Sequence, residues 1–328
     1  GNLWFAAANT YDGGLTVNEG GVRFDRAAAL PSTGTHTFNT GIELQVNIGG
    51  GDDFTLAAGT AAGSLGGLLA GNGPGTSTTV FNGDHTLTLR GSGTILCDIP
   101  DLDGMGTTSV WMLDGNKTLS GNNTFSGVLG VGRRGGSART VTLGSSTALA
   151  GAPSAVIDTS GASKLDLAGF DATVTDVQVG SNNGGQQGQI DDTVGGGTLT
   201  LLGDVTLDGH NNGAGAIHAD TLDLGGGTRT FNLINSNNLA SSLTISSVIQ
   251  NGAVIVDSTS NNGRVKFSAV NTYSGNTTIS DGVLSIDNAY LADSSEVFIS
   301  SGAFIDLNYV GTDTISELWL GGVAQGPG

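Results

Sequence analysis

Residues 5–27 and 267–289 write the same sentence twice, at a constant offset and without a gap. Phe5 falls on Phe267, Asn9-Thr10-Tyr11 on Asn271-Thr272-Tyr273, and Gly13 on Gly275. Further along, Thr16 falls on Thr278, Val17 on Ile279, Gly20 on Gly282, Phe24 on Ile286 and Asp25 on Asp287. A shorter third copy, "LSGNNTFSGVLGVG" (119–132), sets Asn123-Thr124-Phe125 in the same place. A unit this short has no second face against which to bury its apolar side. Copies must therefore stack and share one core, which confines the chain to a quasi-one-dimensional architecture.

Inside and between the copies the apolar residues alternate. "HTLTLRG" (85–91), "KLDLAG" (164–169), "GTLTLLGDVTLDG" (197–209), "DTLDLGGG" (220–227), "RTFNLIN" (229–235), "SLTISSVI" (242–249), "AVIVDS" (253–258) and "GAFIDLN" (302–308) all read as strands bounded by Gly, Asn, Asp or Ser. No stretch has the period of a long amphipathic helix. "FDRAAALPS" (24–32) and "NAYLADSSE" (288–296) suit at most one short helical turn each. The expectation is an all-β chain with no substantial α-helix: a parallel β-solenoid with coils of about 20–25 residues. Its inward positions take Val, Ile, Leu and Phe. Its corners take Gly, which tolerates positive φ, or Asn, whose amide can bond its own turn or a neighbouring coil. The 57 Gly, 5 Pro and 12% charged residues, against about 25% charged in ordinary soluble domains, fit such a corner-rich rod. Residues 1–328 read as one continuous solenoid, with repeat-like units near 5–30, 119–150, 164–235 and 242–328.

These segments resemble the autotransporter-associated β-strand repeat of large bacterial surface proteins. "NTYSGNTTISDGVLSI" followed by "SSEVFISSGAFIDLN" is the core of that resemblance. "KLDLAGFDATVTDVQVGS" (164–181), "TLDLGGGTRTFNL" (221–233) and the final "ELWLGGVAQGPG" (317–328) extend it. The resemblance is weakest over 32–115. It implies a right-handed parallel β-helix carried outside the cell as a passenger or surface-array protein, and it supplies no catalytic residues to carry over. The end of the chain has no set of about ten-residue lipid-facing strands of the kind that form a transmembrane barrel.

The formal charge is −18, from 11 Lys and Arg against 29 Asp and Glu, so a phosphate backbone is repelled and nucleic acid is excluded as a partner. Cys97, the sole cysteine, lies in the strand-like "TILCDI" and reads as a small buried residue without a disulfide. No apolar run reaches the roughly 18–20 residues of a membrane-spanning helix. The chain opens at Gly1 without a leader-like segment, which suggests the mature or excised part of a longer or polymerising protein. These features point to a secreted protein at or beyond a bacterial cell surface.

The search for chemistry assigns no catalytic, cofactor-binding or metal-ligating residue. "GVGRRG" (130–135) matches a dinucleotide fingerprint, but "GSARTVTLG" after it reads as strand where a helix is needed. Arg133, Arg134 and Arg139 form one basic cluster, read as a solvated loop that could meet an anionic glycan or an acidic neighbour. His36, His85, His210 and His218 are scattered and assemble no zinc set. The densest acidic sets are Asp52 with Asp53, Asp101 with Asp103, and Asp191 with Asp192. A polysaccharide lyase or glycosidase would draw its carboxylates from them, and calcium is the one ion their oxygens suit as a structural ligand set. Trp4, Trp111 and Trp319 are too few and too dispersed for a sugar-stacking platform; Trp4 and Trp319, near the two ends, are expected to pack in the core, to cap it or to pack against the next unit of a longer assembly. The leading function is a non-enzymatic structural or adhesive stalk or filament subunit. It would associate end to end with itself or with neighbouring repeats, and with surface glycans as a further partner. The alternative is a carbohydrate-active or glycan-binding β-helix.

Overall fold

The computed structural model describes residues 2–7, 13–25, 35–48, 78–81, 85–95, 99, 101, 106–113, 115–132, 138–157, 162–180, 187–208, 214–234, 242–259 and 263–326. Among them the regular elements are strands, with no helix. The chain divides into two compact units, Gly1–Val131 with Arg139–Ser154, and Gly132–Ala138 with Ala155–Gly328.

In the first unit one sheet stacks β1 (Asn2–Phe5), β3 (Gly21–Phe24), β5 (Glu43–Ile48), β7 (His85–Gly91), β9 (Thr108–Met112) and β11 (Val128–Val131). A second joins β2 (Thr16–Val17), β4 (Thr35–Phe38) and β6 (Thr78–Phe81). A third joins β8 (Gly93–Ile95), β10 (Lys117–Leu119) and β12 (Thr140–Leu143).

The second unit repeats the arrangement. Its longest sheet holds β13 (Ser154–Ile157), β16 (Val177–Val179), β19 (Val205–Asp208), β22 (Thr228–Ile234), β25 (Ala253–Ser258), β27 (Thr277–Ile279), β29 (Glu296–Ile299) and β31 (Glu317–Leu320). The next holds β14 (Lys164–Asp166), β17 (Gln187–Asp191), β20 (Ala214–His218), β23 (Ser242–Ile245), β26 (Arg264–Phe267), β28 (Val283–Ile286) and β30 (Phe304–Leu307). A third side, formed in the first four coils of this unit, holds β15 (Ala172–Val174), β18 (Thr198–Leu201), β21 (Thr221–Asp223) and β24 (Val248–Gln250). The short β32 (Val323–Ala324) folds back antiparallel on β31.

The other pairings described are parallel, and in them each strand bonds not its chain neighbour but the strand one coil away. This is a parallel β-solenoid. Coil length varies along the chain. Asn2 lies beside Gly21, 19 residues on. Val177 lies beside Val205, 28 residues on. The expected strand at 242–249 is two strands, β23 and β24, broken by a corner at Ser246 and Ser247. Residues 288–296 make a hydrogen-bonded turn, Ser295 N–H to Ala292 carbonyl at 2.8 Å, and no helix.

The repeated sentence now has a structural meaning. In both copies it encodes one complete coil. Phe5 ends β1, the chain crosses to β2, and β3 returns to lay Phe24 beside Phe5. Their rings stack at 5.5 Å. In the later copy β26, β27 and β28 do the same, with Phe267 beside Ile286. Gly20 and Gly282, equivalent in the alignment, both turn the chain before the return strand at positive φ, 95° and 79°. A side chain at either would strain that corner. The inner side of each strand forms the core. Leu165, Ile190, Ile217, Ile245, Phe267 and Ile286 occupy one continuous row in register, each fully buried. Each such side chain contributes about 1.5–3 kcal/mol by leaving water.

Candidate functional site

Two of the carboxylates named from the sequence, Asp101 and Asp192, are tied into the backbone. Asp101 accepts from the Thr108 N–H at 2.7 Å, the Ser126 N–H at 2.9 Å and the Ser126 hydroxyl at 2.7 Å. Asp192 accepts three corner N–H groups, from Gly169, Gly195 and Gly197, at 2.6, 3.1 and 2.7 Å. Asp191 pairs with the Lys164 ammonium one coil back, at 2.8 Å. Asp52, Asp53 and Asp103 lie outside the described residues.

The pattern is general. Asp171 accepts from Thr198 N–H, Asp176 from Asp204 N–H, Asp204 from Thr230 N–H, and Asp220 from Gly196 N–H, each partner in an adjoining coil. A solenoid corner leaves backbone donors that no strand ladder reaches, and a short acidic side chain from the next coil satisfies them. Much of the acidic composition is thus corner fastening. Among the described residues no three His, Cys, Asp or Glu side chains converge as a metal set would.

The motif asparagine plays the same part from inside. Asn123 is wholly buried. Its carbonyl accepts the Ile99 N–H at 2.9 Å, and its amide donates to Gly121 and Ala148 carbonyls at 3.3 and 3.0 Å, so one side chain bonds three successive coils. Asn271 repeats the first contact, accepting the Ile249 N–H at 2.8 Å. Phe125 and Tyr273, two residues on, are both buried. The Tyr273 hydroxyl meets Thr277 Oγ1 at 2.8 Å, and its ring meets Tyr290 edge-on at 6.0 Å. Burial pushes the Tyr273 phenol up to about 12 and raises Tyr290 as well. Asn9, Thr10 and Tyr11 lie outside the described residues.

The remaining expectations divide. "GVGRRG" is not followed by a helix: β12 comes next. Gly130 sits in β11 beneath the Trp111 indole, which a Cβ there would strike, so this glycine serves packing. Arg139 donates to the Leu113 carbonyl at 3.0 Å, while Arg133 and Arg134 lie outside the described residues, as do Cys97 and His210. His36 is buried and its Nδ1 accepts the Leu15 N–H at 3.2 Å. His218 Nδ1 and Ser246 Oγ are 2.6 Å apart, and Asp191 is the register neighbour of His218. That trio resembles a nucleophile and base in residue type. Asp191, however, is held by Lys164, and the histidine links two coils as the carboxylates do.

The tryptophans are on the outer face, which corrects the core packing expected for Trp4 and Trp319. Trp4 is 62% exposed, donates its indole N–H to Asp25 at 2.7 Å and lies under Arg23, 5.2 Å from the ring centre. Trp319 stands beside Phe298 in register, and the two rings stack at 5.8 Å with planes 19° apart. Two shallow hollows flank this pair. One, of about 430 Å³, is lined by Thr228, Ile255, Asn276, Thr278 and Phe298 among others. The other, of about 380 Å³, is lined by Thr278, Phe298, Ser300, Trp319 and Gly322. Phe298 went unremarked in the sequence because "EVFIS" reads as plain alternation, and only the register to Trp319 on the next coil gives it a partner.

A third cavity, of about 370 Å³, opens among Leu291, Val297, Ile305, Leu307, Ile315 and Leu318 at the last coils. Ile305 and Leu307 continue the inner rows of Leu284 and Ile286, yet Leu307 is 54% exposed. Comparison with known proteins returned no matching family model, no matching curated protein and no matching solved structure.

Proposed function

We infer that the chain is a non-enzymatic structural element of a bacterial cell surface or extracellular layer, a β-solenoid whose work is extension and display. The observation that carries this reading is the fate of the polar side chains. Among the described residues, carboxylates and asparagines that could do chemistry join one coil to the next, as Asp101, Asp192 and Asn123 illustrate. The resemblance of the repeats to autotransporter-associated strands supports placement outside the cell, as does an acidic surface with a single cysteine.

Within this reading the solenoid joins end to end with further coils, from a second copy or from neighbouring repeats. Inner-row side chains are uncovered at both terminal strands. Leu3, in register with the buried Val22, is 44% exposed on β1, and Leu307 and the cavity beside it open at β30. A stacked coil would dry both surfaces. Sedimentation velocity and electron microscopy over a range of concentrations test this, with Leu307→Glu as the blocking variant. Concentration-dependent assembly that the variant abolishes is the expected result. Depolymerisation of any polysaccharide in a panel, read as new reducing ends or unsaturated products, would replace the structural reading with an enzymatic one.

A further inference from the structure

The outer face of the second unit carries an arrangement that corner fastening does not explain. Strand alternation turns Val297 inward, where it is 2% exposed, and so turns Phe298 outward. The register then sets Thr278, Phe298 and Trp319 in one outward row across β27, β29 and β31. The two stacked rings are partly exposed there and present an apolar surface on the sheet face. The hollows on either side share Thr278 and Phe298, so they form one trough crossing several coils.

The chemistry of that trough selects a partner. Its polar side chains, Thr228, Asn276, Thr278 and Ser300, are all uncharged. Beside it stand carboxylates: Glu296, which accepts from the Asn276 amide at 3.1 Å, is the register neighbour of Glu317. In a chain of net charge −18 a polyanion is repelled. The trough lies on a sheet face, where no free strand edge offers a ladder to an extended peptide. A neutral pyranose chain meets every condition. Its apolar C–H face stacks on a ring whose quadrupole is negative above the plane, and its hydroxyls bond the threonine, serine and asparagine groups.

We propose that Phe298, Trp319 and Thr278 form a binding platform for a neutral polysaccharide on the outer face of β25, β27, β29 and β31. This proposal does not rest on the structural reading, since a chain that never polymerises can bind glycan and a filament subunit can lack the activity.

Native affinity electrophoresis of the full chain tests it, in gels cast with mixed-linkage β-glucan, xylan or galactomannan, and with polygalacturonate as the polyanion. The expected result is retardation in at least one neutral gel and none in polygalacturonate. Phe298→Ala weakens that retention about tenfold, the scale of losing one well-placed contact. Because Phe298→Ala could disturb the sheet, Thr278→Arg serves as the second variant: it fills the trough from a half-exposed position and leaves both rings in place. Trp111→Phe, on the first unit, leaves retention unchanged. The proposal is overturned if folded wild-type protein passes every neutral gel unretarded, if polygalacturonate retards it more, or if folded Phe298→Ala and Thr278→Arg both keep wild-type retention.

Discussion

The row Leu165, Ile190, Ile217, Ile245, Phe267, Ile286 and Leu307 runs through the second unit at one position per coil. Its first six members are fully buried, and its seventh, the same side of the same sheet, is 54% exposed. Nothing in residue type separates Leu307 from Leu165. The difference is that Leu165 has a coil on the β17 side and Leu307 ends its ladder. In a solenoid, burial belongs to the neighbour rather than to the residue, so stability should vary along the stack even where the sequence is uniform.

The sharpest way to break this comparison is to truncate both kinds of position. Ile217→Ala opens a cavity between two packed coils and should cost about 2–5 kcal/mol. Leu307→Ala removes a side chain already half in water and should cost under about 0.5 kcal/mol. Urea denaturation of the two variants gives the answer. Equal losses would mean that the last coils are covered in solution by something that dries Leu307.

Ionisation examines the same boundary from another side. Tyr273 lies only two coils before the exposed ladder end, yet it is fully shielded and its phenol is pushed up to about 12 from an ordinary 10. Desolvation is the first cause, and the hydroxyl contact with Thr277 opposes it without reversing it. A raised folded value means that the unfolded chain loses this proton first. The corresponding stability is present below pH about 10 and drains away as pH climbs toward 12, an effect of up to about 2.5 kcal/mol. A spectrophotometric phenolate titration should therefore show Tyr273 ionising only near pH 12 and Tyr290 also ionising late, together with a falling urea midpoint. If all four tyrosines titrate near 10 in folded protein, the open end frays as far inward as β27.

The coil itself was legible in the sequence because it rests on local, repeated signals. Alternation gave β7 at 85–91 and β25 at 253–258 to the residue, and the doubled sentence marked a whole turn. What the sequence withheld depends on register between coils. That Asp192 fastens a corner 23 residues back and Asp191 meets Lys164 27 residues back needs the offset from one coil to the next, and that offset varies, 19 residues at β1 and 28 at β16. The same uncertainty hid the stack of Phe298 on Trp319, 21 positions apart. It also sent Trp4 and Trp319 to the core on hydrophobicity alone, when the parity of their strands points them outward.

The finest distinction lies between corner carboxylates inside the stack and at its end. Asp166 is buried between β14 and β17 and takes three donors: the Ala168 N–H at its own corner, and the Thr193 N–H and hydroxyl one coil on. Asp313 also takes three, the Tyr290 and Leu291 N–H groups at 3.0 Å and the Thr314 N–H at 3.1 Å, but from a partly exposed position. Asp166→Ala strands donors that water reaches poorly and should cost about 1–3 kcal/mol. Asp313→Ala frees donors beside an open cavity, where water can replace the carboxylate, and should cost about half as much. Hydrogen exchange measured on both variants separates local from global effects. Asp166→Ala should speed exchange in β14 and β17 together, because the staple spans both coils. Asp313→Ala should speed it only from Tyr290 onward. Protection lost throughout the second unit in the Asp313 variant would show that the last coils hold the stack closed, reversing the order drawn from burial.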